Sequence, residues 1–97
     1  MIYSGQALSD LDRLTDFLLE ADPASASSTV ALIAEAIDVL ANHPMIGRAV
    51  EEGLRALIIS RGKSGYVALY SYEEADDAVL ILAVRHQRET GFPEPSS

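Results

Sequence analysis

The sequence predicts an α+β domain in the order β-α-α-β-β-β, an antiparallel sheet with a two-helix hairpin packed on one face. Three observations carry that expectation. Leucines recur at three- and four-residue steps between Ala7 and Leu19. A second, alanine-rich helical pattern runs between Asp22 and Pro44. The last third reads as three consecutive strands, Arg55–Arg61, Tyr66–Tyr72 and Ala78–Arg85. With 97 residues, 48% of them apolar, the chain holds enough core for one domain to fold without staples.

Met1–Ser4 is a short apolar start, read as a strand. Ala7, Leu8, Leu11, Leu14, Leu18 and Leu19 then make one stripe, with Asp10, Asp12, Arg13, Asp16 and Glu20 between them. That is an amphipathic helix, for which Ser4 and Ser9 are both good caps. Asp22-Pro23 reads as the cap and first position of a second helix. Its apolar face carries Val30, Ile33, Ile37, Leu40 and Ala41, and it ends near Asn42-His43-Pro44, because proline cannot continue it. Met45–Gly53 reads as a connector punctuated by Gly47 and Gly53. Arg61-Gly62-Lys63-Ser64-Gly65 and the acidic Glu73–Asp77 join the last three strands. Tyr66, Ala68, Tyr70 and Tyr72 share one face of the middle strand. Ala78–Val84 is apolar on both faces, which makes it an inner strand, and the first strand is placed beside it in a four-stranded sandwich. The domain spans residues 1–92, and residues 93–97 read as a flexible tail.

Composition excludes several classes. Without cysteine there is no disulfide framework and no thiolate metal site. Met1–Gln6 has neither a basic region nor an apolar signal core, and no apolar run reaches the ~18 residues of a spanning helix. A soluble, cytoplasmic protein with no membrane partner is expected. The net charge is −8: residues 1–44 hold one cation against seven acids, and residues 45–97 hold six against eight. An acidic field disfavours nonspecific nucleic-acid binding, which rests on phosphate neutralisation, and no direct specific DNA binding is expected. It leaves room for one local basic patch.

That patch is the rim of the last strand, where an apolar run breaks into Arg85-His86-Gln87-Arg88. Arg85, His86 and Arg88 are the candidate target-binding residues, joined by Arg61 and Lys63 from the hairpin loop. The plainer account is a solvated strand end, with His86 capping backbone carbonyls. Arg55 is weighed between target contact and an edge-strand charge that blocks aggregation. The tyrosine face reads as core and interface packing rather than a platform for bases. Glu73, Glu74, Asp76 and Asp77 lack the spacing and turn glycine of a calcium loop, so no metal is expected. His43 reads as a helix-end residue offsetting the dipole. Gly62 and Gly65 are flanked by strands where a phosphate loop needs a helix, and no cofactor is expected.

Taken together, these stretches resemble the RelE/ParE superfamily of type II toxin–antitoxin toxins, and its ParE-like branch in particular. The resemblance runs from Ile2 to Phe92. It rests on Ala7 with Asp10-Leu11, Pro44-x-x-Gly47-Arg48, Gly53-Leu54-Arg55, Gly65-Tyr66-Val67-Ala68-Leu69-Tyr70, and Ile81-Leu82-Ala83-Val84-Arg85-His86-Gln87-Arg88-Glu89. It implies the compact toxin fold and a cognate antitoxin whose partly disordered C-terminal segment wraps the toxin, hence a hetero-oligomer of the plasmid-stabilization kind. RelE-like members are ribosome-dependent ribonucleases, whereas ParE-like members inhibit DNA gyrase and are not nucleases. Ribonuclease members tend to place an arginine just after the aromatic of the middle strand, where this chain has Tyr66-Val67.

The expectation is therefore a ParE-like toxin with DNA gyrase as target and no catalytic residues. The alternative is an mRNA interferase using His86 as acid or base with Arg61, Arg85 and Arg88 on phosphate. A third reading is a diverged, non-toxic member that only binds a partner. A sheet face partly covered by two helices should leave an apolar groove for a helix or strand of the antitoxin. Hydrophobic contact should dominate there, with an antitoxin segment less acidic than usual.

Overall fold

A computed structural model of the chain describes residues 1–61 and 64–86, with positions 60, 61 and 64 in backbone only. It forms a five-stranded sheet in the order β1-β5-β4-β3-β2 with two helices on one face. Strand β1 is Ile2–Tyr3, helix α1 Gly5–Ala21 and helix α2 Ala26–Asp38, the last continued by a 3-10 turn at Val39–Ala41. The remaining strands are β2 (Arg48–Glu51), β3 (Leu54–Arg61), β4 (Ser64–Glu73) and β5 (Ala78–His86).

Ser4 rather than Ser9 starts α1: its hydroxyl accepts the Ala7 amide at 3.0 Å, satisfying one of the orphan donors of the first turn. The helix buries Ala7, Asp10, Leu14 and Leu18, about one residue per turn, while Leu8 and Leu19 face out. Two members of the predicted stripe are thus exposed, and an acid takes its place inside. The Asp22 amide donates to the Leu18 carbonyl at 2.8 Å, so Asp22 closes α1 instead of opening α2. Pro23 follows as a breaker just past a helix end, a common place for it. The Ser25 hydroxyl bonds the Asp22 carboxylate, and α2 begins only at Ala26. Ala26, Thr29, Ile33, Ile37 and Leu40 are buried; Ala41 is exposed.

The sheet departs from expectation in two ways. The stretch read as a connector contains β2, which pairs antiparallel with β3 across the two-residue turn Glu52-Gly53. Gly53 supplies the positive φ of +77° that this turn requires. The sheet is also mixed: β3, β4 and β5 form the predicted antiparallel meander, but β1 pairs parallel with β5, Ile2 opposite Leu80. The predicted neighbour of the apolar strand is the observed one. Only the direction and the strand number differ.

The helices cover a face built from Leu57, Ile59, Tyr66, Ala68, Tyr70, Val79, Ile81 and Val84, against Ala7, Leu14, Ile33, Ile37 and Leu40. Each of the large side chains gains roughly 1.5–3 kcal/mol by leaving water. Between β4 and β5 the register shifts: Leu69 faces Ala83 but Tyr70 faces Ile81, which skips Leu82. This bulge switches the strand's parity, so Ile81 and Val84 both reach the core. It also sets which face Arg85 and His86 occupy.

Candidate functional site

Among the described residues, the outer edge of β5 beyond β1 has no strand beside it, and the start of α1 takes its place. The Ser4 amide donates to the Ile81 carbonyl at 2.9 Å and the Ser4 hydroxyl to the Leu82 carbonyl at 3.1 Å. The Val84 amide donates to Asp10 Oδ2 at 3.0 Å. The other Asp10 oxygen, Oδ1, accepts Gln6 Nε2 at 2.9 Å and faces Arg13 Nη2 at 3.5 Å and Arg85 Nε at 3.6 Å. Asp10 is 1% exposed. A carboxylate so deeply buried is stable only with donors and cations around it, and this one has both.

Arg85 is thereby drawn toward α1. Its side chain keeps 27% of its surface exposed and shares the carboxylate of Asp10 with Arg13. His86 turns to the other side, where β4 offers Tyr66, its register partner; the rings meet edge to face, 5.3 Å apart at 87°. Of the residues proposed from sequence, Arg85 and His86 are adjacent at the rim but held by different neighbours. Arg61 lies at the end of β3, described in backbone only, while Lys63 and Arg88 lie outside the described residues. The cationic trio is thus visible in two members, and one is partly neutralised from within.

A second arrangement, unforeseen as a unit, sits at the corner where the chain passes from the helices into β2. The Tyr70 hydroxyl accepts the Gly47 amide and donates to the Pro44 carbonyl, both at 2.8 Å. A Cβ at Gly47 would lie 2.6 Å from that hydroxyl and 2.8 Å from the Ala56 carbonyl, so the tyrosine's approach requires glycine. Arg55 Nη1 donates to the Gly47 carbonyl at 2.6 Å and reaches the Met45 carbonyl at 3.4 Å. Burial raises the Tyr70 pKa; the Gly47 amide and the Arg55 charge pull the other way and do not cancel it. This explains the spacing Pro44-x-x-Gly47 in physical terms: the two backbone groups straddle one phenol. Arg55 is neither a bare edge charge nor an open contact but a brace on this loop.

The tyrosine face is core. Tyr66 and Tyr70 are buried with Ala68, in keeping with the packing account. Tyr72, further out, donates to Asp77 Oδ1 at 2.8 Å, and that bond, followed by burial and the charges of Asp77 and Glu74, raises its pKa. An open cleft of about 530 Å³ lies beside the corner, lined by Met45, Leu54, Arg55, Tyr72, Glu51 and Glu74 among others. A second groove, about 380 Å³ and almost wholly apolar, lies between α1 and α2, lined by Leu19, Ala26, Val30 and Ala34 with Thr15. The apolar groove expected on the sheet is found between the helices. Among the described residues, no three His, Asp or Glu come together to hold a metal ion, and no helix is long and apolar enough to cross a membrane.

Asp10 is the residue that sequence reasoning misplaced. The leucine pattern sets it between the apolar residues, yet it stands three residues after Ala7 and four before Leu14, on the buried spiral. That spacing was the available signal.

Comparison with known proteins gives the family. The family model described as "ParE toxin of type II toxin-antitoxin system, parDE" matches residues 1–91. The chain is 36% identical to Toxin RelE3 of Caulobacter vibrioides over 84 residues, covering 87% of this chain and 89% of that protein. It is 36% identical to Toxin RelE1 of the same organism over 70 residues, covering 72% and 75%. Among solved structures, "Chromosomal ParDE TA system from P. aeruginosa" superposes with a TM-score of 0.71 at 22% identity, covering 88% of this chain and 91% of that one. The last likeness speaks to the fold.

Proposed function

The chain belongs to the ParE toxin family of type II toxin–antitoxin systems, and from that premise we propose that it arrests growth by binding DNA gyrase, without catalysis. Membership implies an antitoxin partner. The observation that carries the non-nucleolytic reading is Val67. It occupies the position after the middle-strand aromatic where ribonuclease relatives tend to set an arginine, and it is 1% exposed between β3 and β5. A buried valine contributes nothing to a phosphate. Across the β4–β5 ladder Val67's register partner is a cation, Arg85, and it shares its charge with Asp10. Cleaving RNA would require a base, an acid and cations converging on one phosphate.

The target contact is assigned to the β5 rim, Arg85, His86 and Arg88, with Arg61 and Lys63. The antitoxin is assigned to the apolar groove between α1 and α2, α1 also carrying the exposed acids Asp12, Asp16 and Glu20. Apolar walls and an acidic α1 favour a helix with an apolar stripe and few acids of its own.

Induction in a host lacking the antitoxin tests this reading. Growth arrest with DNA damage and SOS induction is expected. Rapid mRNA cleavage with intact DNA would replace it with the interferase reading, in which His86 is acid or base. Unaffected growth would leave a non-toxic partner-binding member.

A further inference from the structure

We propose that Asp10 is a positioning residue for the β5 rim: its carboxylate fixes the path of Arg85 and so delivers that arginine to the target. The inference rests on the reading that the rim touches the target, and it adds how the rim is aimed.

The two oxygens of Asp10 divide the task. Oδ2 takes the Val84 amide, a backbone group on the open edge of β5. Sealing such a group needs no charge. Ser4 does equivalent work on the Leu82 carbonyl with a neutral hydroxyl, two residues earlier on the same strand edge. A buried ionised carboxylate is a costly way to satisfy one amide, since its desolvation must be offset by cations and further donors. The charge is used by Oδ1, which gathers Gln6, Arg13 and Arg85. Arg13 belongs to α1 itself, three residues on, and its side chain is 45% exposed; Arg85 comes from the end of β5, remote in sequence, and is more enclosed. The carboxylate therefore joins two distant segments through one arginine.

Position supports this further. Val84 and Arg85 are consecutive, so one side chain grips the backbone at one residue and the guanidinium of the next. That two-point hold, a hydrogen bond to the backbone and an ionic contact at 3.6 Å, narrows the rotamer freedom of a long side chain, which is the usual entropic cost of using arginine in an interface. The contact is through Nε, near the stem of the guanidinium, and about a quarter of the side chain stays exposed. A partner can still reach the arginine where Asp10 places it.

The test uses the full chain and three variants: Asp10→Asn, Arg85→Gln and the double variant. Asparagine keeps an oxygen for the Val84 amide and removes the charge. In Asp10→Asn, Val84 N–H is expected to stay protected from hydrogen exchange, with a melting temperature close to the parent's. The Arg85 Nε–H, followed by nitrogen-edited NMR and assigned by its loss in Arg85→Gln, is expected to exchange at least about tenfold faster. Growth arrest in an antitoxin-free host should weaken in both single variants, and the double variant should be no weaker than Arg85→Gln. Unchanged Nε–H exchange in Asp10→Asn, loss of Val84 protection together with the fold, or additive losses in the double variant would each overturn the proposal alone. Full arrest by Arg85→Gln would overturn the rim reading beneath it.

Discussion

Arg55 and Arg85 both flank apolar strands of the same sheet, and both are turned inward, but to different acceptors. At the β2–β3 corner Arg55 bonds neutral carbonyls of Gly47 and Met45, so its charge persists beside the cleft. At the end of β5, Arg85 meets a carboxylate, and its charge is shared away. The corner is rigid because Tyr70, Gly47 and Pro44 satisfy one another with hydrogen bonds and close contact. The β5 end is held by ionic and backbone bonds to one buried acid. A cation count taken from sequence treats these arginines as equal. Their acceptors make them unequal.

The corner should break most severely. Gly47→Ala forces a Cβ against the Tyr70 hydroxyl and the Ala56 carbonyl, and about 3 kcal/mol of stability should be lost in urea unfolding. That is a large share of the roughly 5–15 kcal/mol holding a domain of this size. Loss below about 0.5 kcal/mol would show that the corner is soft. At the β5 end, Asp10→Ala strands the Val84 amide and takes the Asp10 charge away from Arg85 and Arg13, costing about 2 kcal/mol by the same measurement. If it cost as much as Gly47→Ala, the two ends would be equally rigid and the contrast would fail.

The same contrast has a pH signature. Burial holds the Tyr70 proton more tightly in the folded chain than in the unfolded one. The bound proton stabilises the fold fully below the ordinary tyrosine value of 10.0, and that stabilisation is lost as pH rises through the higher folded value. Stability should therefore decline above pH 10, and Tyr70→Phe, though weaker throughout, should flatten part of the slope, Tyr3 and Tyr72 being raised in the same direction. An unchanged slope would place the titrating group elsewhere. The smallest effect expected is on the antitoxin. If its segment lies in the apolar helix groove, affinity measured by calorimetry should change less than about threefold across a tenfold rise in salt. A steep loss would move that contact to the charged rim.

The meander, the helix pair and the placement of β1 beside β5 were legible because hydrophobic period and length specify them with little help from distant contacts. Strand β2 was not, because Arg48-Ala-Val-Glu51 is too short to show alternation; its sign was the Glu52-Gly53 turn. Asp22-Pro23 satisfies the rules for a helix start and for a helix end alike, and only the hydrogen bond to Leu18 decides between them. The rim residues Arg85 and His86 could be singled out from the break in apolar pattern. That Asp10 would claim Arg85 could not be, since the pair is 75 positions apart and depends on how α1 replaces a strand along β5. The Tyr70–Gly47–Pro44 corner has the same cause: its parts were visible, and their meeting is a property of the fold.

The direct measurement is supercoiling by purified DNA gyrase with this protein added, alone and with its antitoxin. Inhibition that rises with protein, is relieved by the antitoxin and is weakened by Arg85→Gln is the predicted result. Full supercoiling activity at every concentration, alongside cleavage of ribosome-bound mRNA by the same preparation, would contradict it.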